Sequence, residues 1–112
     1  MNRGEIWRIN LDRTRGAEIR KTRPALILSV DAIGVLPLRV VVPITGWKDT
    51  YVQATWLVRM EPDATNNLEK LSAADTFQVR SVSQTRFVDR IGTISAVDLM
   101  RVEEAVRTVL GL

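Results

Sequence analysis

The 112-residue chain contains no histidine and no cysteine. The first absence removes the side chain whose unperturbed pKa lies nearest neutrality, and with it the default general base. The second removes thiol nucleophiles, CxxC redox pairs, zinc fingers, iron–sulfur clusters and any disulfide framework. Aromatics are sparse, with three tryptophans, two phenylalanines and one tyrosine. Wholly apolar runs are short: Val40–Ile44 spans five residues, against the roughly 18 that a membrane-spanning helix needs. The opening MNRGEIWRINL alternates charged with apolar groups and lacks the apolar stretch of an export signal. These absences predict a cytoplasmic protein with no membrane partner.

What is present is an ordinary globular composition, 46% apolar and 26% charged, of a length that suits one domain spanning residues 1–112. Sixteen basic residues, thirteen of them arginine, face thirteen acidic ones for a net +3. The excess is concentrated: residues 1–24 carry seven basic groups against three acidic ones, and the remainder nine against ten. A basic front on a neutral body points to a polyanionic partner, and the planar fork of arginine suits phosphate oxygens better than lysine does.

The hydrophobic pattern reads as short strands. Glu5–Leu11 alternates, with Trp7, Ile9 and Leu11 on one face and Arg8 and Asn10 on the other. Pro24–Val30 and Leu38–Ile44 are runs of the buried type, Val52–Met60 and Thr76–Val82 have mixed faces, and Val88–Ile94 is a further strand. Leu99, Val102, Val106, Val109 and Leu110 then recur at helical spacing between a Ser95/Asp98 capping pair and Gly111. The expected fold is mainly β, a small twisted sheet or barrel closed by one C-terminal helix.

Chemistry concentrates in two irregular stretches. Asp12–Thr22 is eleven residues long, where a hairpin normally uses about two to five. It holds Arg13, Arg15, Arg20 and Lys21, with Glu18 as a carboxylate that neighbouring arginines would keep ionised. At its end Arg23 precedes Pro24, which pushes the arginine backbone into extended geometry and stiffens it where loop meets strand. The second stretch, Thr45–Tyr51, follows Pro43, a residue that marks an edge, bulge or strand end and so can re-aim Thr45. There Trp47 and Lys48 make an aromatic–cation pair suited to an unstacked base beside a phosphate. Gln78 and Arg80 alternate with Phe77 and Val79 and so read as polar-face residues able to meet base edges, whereas Trp7 and Trp56 read as packing.

The order of these pieces resembles the MazF/PemK family of toxin endoribonucleases. The matching segments are RGEIWRINLD, RGAEIRKTRPALILS, VVPIT and LSAADTFQVRSVS, followed by Arg86, Arg90 and Gly92. Arg-Pro before an apolar strand, with Pro-x-Thr about twenty residues later, is the most specific of them. The resemblance implies an SH3-like β-barrel of the plasmid-maintenance toxin type, working as a homodimer and held inactive by an acidic, MazE-like antitoxin. It implies a ribonuclease needing no metal or other cofactor that cuts single-stranded RNA and leaves DNA intact, giving 2′,3′-cyclic phosphate and 5′-hydroxyl ends. The family's catalytic arginine falls on Arg23, its threonine on Thr45 and its loop glutamate on Glu18. Between that glutamate and the arginine the family is usually small or polar, often with glycine. Here Ile19, Arg20, Lys21 and Thr22 make the loop more basic. The same barrel also carries toxins that poison DNA gyrase by protein contact, and a non-catalytic RNA-binding barrel is a third reading.

Overall fold

A computed structural model describes residues 1–11, 22–33 and 35–112. The described strands are β1 (Glu5–Asn10), β2 (Thr22–Ile27), β3 (Leu38–Gly46), β4 (Leu57–Met60), β5 (Ser72–Asp75), β6 (Arg80–Ser83) and β7 (Phe87–Thr93), and helix α1 (Ala96–Leu110) follows them. They form one antiparallel sheet in the order β4-β5-β3-β2-β1-β7, with β6 also paired to β3. Among the described residues β4 and β7 remain its two ends, so the expected barrel is a bent sheet rather than a closed one. Register shifts in the β1–β7 ladder, where Ile91 and Val88 of β7 are passed over between Ile6 and Trp7 and between Arg8 and Ile9, supply part of the bend, since each bulge increases local twist.

Both sheet faces are apolar, and the period-two alternation sorts them. Ile6, Leu26, Val42 and Ile44 face a core that also takes Val58, Met60 and, from α1, Val102, Ala105 and Val106. Ile9, Ala25, Ile27 and Val41 face a second, smaller cluster with Val82, against which Trp7, Leu11 and Phe87 pack. The predicted alternation of β1 thus holds for Trp7, Ile9 and Leu11, and Ile6 serves the opposite core. On α1 the cap is as expected: Ser95 Oγ accepts from the Asp98 amide at 3.1 Å, and Gly111 ends the helix at φ 71°. Leu110 does not join the buried stripe and is 53% exposed.

Strand β3 is the hinge of the architecture. Its first half pairs with β6 from Leu38 to Val41, its middle with β2 from Val41 to Pro43, and its end with β5 from Ile44 to Gly46. Pro43 has no amide hydrogen to donate, and there the β2–β3 ladder stops.

Two expected strands are corrected. Only Leu57–Met60 of the Val52–Met60 run is extended, because Asp49–Gln53 forms a 3-10 turn with Tyr51 N on Lys48 O and Ala54 N on Tyr51 O, both at 2.9 Å. Likewise Thr76–Gln78 is a 3-10 turn and β6 begins only at Arg80. The cause is local: the Asp75 carboxylate accepts from the Phe77 amide at 3.2 Å, and the buried Thr76 hydroxyl donates to Trp56 O at 2.7 Å. Such side-chain bonds offer the backbone an alternative to the ladder. Strand β5, made of small residues that are mostly buried, had no sequence signal.

Candidate active site

Arg23 pairs with Ile9 on β1, one step before Pro24 pairs with Arg8. On its other side the β2–β3 register, Ala25 with Pro43 and Leu26 with Val42, would set Arg23 opposite Thr45 if continued by two residues. It is not continued, because β3 turns away to β5 after Pro43. The two strand ends therefore splay, and Arg23 and Thr45 stand on either side of the opening. Two compartments result. One, of about 290 Å³, is lined by Thr22, Arg23, Thr45, Gly46, Asn67 and Lys70 among others. The second, of about 420 Å³, is lined by Leu11, Arg23, Thr45, Tyr51, Asp75, Gln78 and Arg80 among others. Arg23 and Thr45 belong to both and form the wall between them.

The electrostatics differ along this wall. Neither the exposed Arg23 guanidinium nor the half-buried Thr45 hydroxyl makes a hydrogen bond or ion pair to a described residue. Arg8, at the rim of the first compartment, is instead held by Asp89 at 2.9 Å; that bond and the Asp89 charge raise its pKa above its already high ordinary value. Arg80 Nη1 donates to Leu11 O at 3.3 Å and Arg86 Nη1 to Asn10 O at 3.2 Å. These two arginines grip the end of β1 where the basic segment departs. A free guanidinium and a free hydroxyl on one wall can bind a tetrahedral oxyanion from two sides.

The segment between β4 and β5 builds the far wall of the first compartment. Fully buried Asn66 accepts from Asp63 N and Leu68 N, each at 3.0 Å, and donates to Glu61 O at 2.9 Å. Asn67 adopts a left-handed φ of 52° and donates to Ile91 O at 3.0 Å. A side chain on Gly92 would lie 2.4 Å from Thr65 O and 2.6 Å from Asn66 O, so only glycine lets this segment seat against β7. Lys70 then lies along Gly46, its Nζ 3.2 Å from where a Cβ would stand.

Of the residues singled out in the sequence, Arg23, Thr45, Gln78 and Arg80 converge on the second compartment. Gln78 does not lie on a strand face; its amide donates to Asp75 Oδ2 at 2.9 Å within the 3-10 turn. Trp47 is half-buried, edge-on to Tyr51 with centroids 5.7 Å apart, with the Arg59 guanidinium 5.8 Å from its ring. Lys48 is exposed beside it. Glu18, Arg13, Arg15, Arg20 and Lys21 lie outside the described residues. Trp7 packs as expected, edge-on to Phe87 at 5.6 Å. Trp56 does not: it precedes β4 and is 41% exposed. Asp75, Tyr51 and the Asn67–Lys70 wall also line the cleft without standing out in the sequence, where the turn-rich PDATNN run and the Asp-Thr before Phe77 are the available signals.

Fold and cleft together define a small antiparallel β protein with a groove walled by Arg23 and Thr45. Residues 2–110 match the family described as PemK-like, MazF-like toxin of type II toxin-antitoxin system, and the chain belongs to that family. Endoribonuclease MazF9 of Mycobacterium tuberculosis is 32% identical over 118 residues, covering 100% of this chain and 98% of that one. Endoribonuclease PemK of Escherichia coli is 52% identical over 47 residues, 41% of this chain and 35% of that protein. Among solved structures, Mycobacterium tuberculosis toxin MazF-mt6 superposes with a TM-score of 0.76 at 25% identity, covering 96% of this chain and 97% of that one. A MazE-MazF structure from Deinococcus radiodurans gives 0.80 at 24% identity over 100% of this chain and 96% of the other.

Proposed function

We propose that this chain is the toxin of a toxin–antitoxin pair and cleaves single-stranded RNA endonucleolytically, through the 2′-hydroxyl of its substrate. The observation that carries the reading is the pairing of Arg23 and Thr45, unengaged by described residues, at the point where β2 and β3 diverge. In the reaction the 2′-oxygen bonds to phosphorus as the P–O5′ bond breaks. The 2′ proton passes to a base, and the 5′-oxygen takes a proton as it leaves. The products are a 2′,3′-cyclic phosphate and a 5′-hydroxyl. Because RNA supplies the nucleophile, the enzyme needs only a charge clamp and proton traffic, and DNA, lacking the 2′-hydroxyl, is not a substrate.

Arg23 suits the clamp. A guanidinium stays protonated and so makes a poor base, but it offers a fork of donors to the non-bridging oxygens and a hydrogen bond to the leaving 5′-oxygen. Thr45 donates to the same phosphate from the opposite strand. Glu18 is the base, or the group that orients Arg23. Arg13, Arg15, Arg20, Lys21 and Lys48 follow the RNA backbone, while Gln78, Arg80 and Trp47 meet its bases. The toxin works as a cytoplasmic homodimer, and an acidic antitoxin occupies the groove by mimicking the charge of RNA. Solved structures of a Deinococcus radiodurans MazE-MazF pair and of a mycobacterial endoribonuclease in complex with its cognate antitoxin share this fold and support an antitoxin partner.

The test is incubation of the pure protein with a long single-stranded RNA in excess EDTA, followed by mapping of the ends. Discrete cuts with 5′-hydroxyl ends, lost in Arg23→Ala and Thr45→Ala, are expected. Binding without cuts would leave a non-catalytic RNA-binding barrel, and neither binding nor cuts a gyrase-directed toxin.

A further inference from the structure

The chain has six aromatic residues, and two of them stand together at the surface. Trp56 is 41% exposed and Phe77 67%, with ring centroids 6.2 Å apart and planes at 78°. Both are fixed from beneath. Trp56 O accepts from the Thr76 amide at 3.1 Å and from its hydroxyl at 2.7 Å, and Thr76 is wholly buried. The Phe77 amide donates to Asp75 Oδ1, while Gln78 donates to Oδ2 of the same carboxylate. Asp75 and Gln78, which flank the pair along the chain, line the compartment that Arg23, Thr45 and Arg80 also line. The aromatic pair thus stands at the rim of a cationic groove, on a turn that is already ordered.

We infer that Trp56 and Phe77 form a stacking platform for one unpaired base of the RNA next to the phosphate held by Arg23 and Thr45. The inference rests on the ribonuclease reading for its substrate class. Cation and ring divide the work: arginine takes the phosphate, and the rigid aromatic edge takes the base that the bent backbone turns out of its stack. The arrangement favours nucleic acid over a protein partner because the rings adjoin the compartment walled by Arg23 and Thr45, and an apolar surround that would seal a protein hot spot is missing among Asp75, Gln78 and Arg80. Stacking is tolerant of base identity, so the platform contributes affinity more than it dictates the cut motif.

The experiment uses the full chain and has two arms. In the first, single-stranded RNA substituted with 5-iodouridine is irradiated on the protein and the crosslinked peptides are mapped; adducts on Trp56 or Phe77 are expected. In the second, cleavage kinetics are compared for wild type, Phe77→Ala, Phe77→Leu and Phe77→Tyr, with thermal melts to confirm folding. Alanine and leucine should each raise KM about tenfold, the size of a lost base–aromatic stack, with kcat held and tyrosine restoring KM. Leucine matching wild type, an unchanged KM in both variants, or crosslinks confined to other residues would overturn the platform. So would a Phe77→Ala variant that keeps its RNA kinetics but loses antitoxin binding, which would make the pair a protein contact. A wild type that cuts no RNA would instead sink the ribonuclease reading, and the crosslinking arm would still decide whether RNA lies on these rings.

Discussion

Arg23 and Thr45 were legible because each is set by its neighbour in the chain. Arg-Pro stiffens one backbone and Pro-x-Thr ends one ladder, and both effects act within two residues. Asp75, Tyr51 and Lys70 reach the same cleft only through pairings of strands far apart in sequence, which no local pattern reveals. The chemistry assigned to the pair gives a sharp expectation. Removing a donor that meets charge developing in the transition state costs about 10²–10³-fold in rate, so Arg23→Ala should fall by that factor under single-turnover conditions. Arg23→Lys should recover only part of it, since a point charge lacks the fork. Thr45→Ser should stay near wild type while Thr45→Ala falls, because the hydroxyl and not the methyl is in use. Rates of all four variants at equal RNA concentration check the assignment, and a fully active Arg23→Ala would refute it.

At the scale of elements, the strands with continuous apolar runs and the capped helix were readable, and the 3-10 turns were not. The Thr76–Gln78 turn replaces ladder bonds by the Asp75 cap and by the Thr76 bond to the distant Trp56 O, and the Asp49–Gln53 turn by i to i−3 bonds that no apolar periodicity marks. The Asp63–Asn67 segment shows what such local bonds hold up. Asn66→Ala leaves two amides and a carbonyl without their buried partner and should cost about 1–3 kcal/mol. Gly92→Ala forces a methyl against two backbone oxygens and should destabilise by at least about 1–3 kcal/mol, as overpacking does. Because both also displace the cleft wall, RNA cleavage should drop even at temperatures where the fold survives. Acid should attack the same region. Amide bonds from Asn66 and Thr65 and the Thr65 hydroxyl hold the Asp63 carboxyl below its ordinary value. For Glu5, burial pushes the pKa up but is outweighed by the Asn2 amide, Trp7 Nε1 and nearby positive charge including Arg90, leaving it lowered. A depressed folded pKa contributes stability that is whole above the unfolded value, near about 4, and is lost as pH falls through the folded one. Melting temperature should therefore hold from neutrality to the carboxylate range and drop below it, with a shallower fall in Glu5→Gln and Asp63→Asn.

On the scale of the whole molecule, the decisive property is where the charge lies. A net +3 spread evenly would bind RNA weakly, but residues 1–24 carry seven basic groups against three acidic ones, and of these Arg23 opens onto the groove. If a single-stranded RNA is held through about four phosphates, log K should fall with log salt at a slope near −2.8, about −0.7 for each contact. Raising monovalent salt from about 50 to 200 mM should then weaken binding roughly 50-fold. An uncleavable RNA with a 2′-deoxy sugar at the cut position lets affinity be measured without turnover. Replacing Lys48 or Arg23 with alanine should each remove about one contact and flatten the slope by about 0.7. Phe77→Ala should weaken binding at every salt concentration while leaving the slope unchanged, because stacking releases no counterions. A slope that is shallow in the wild type and indifferent to Arg23 would mean that the phosphates lie elsewhere, and the groove walled by Arg23 and Thr45 would lose its claim to the substrate.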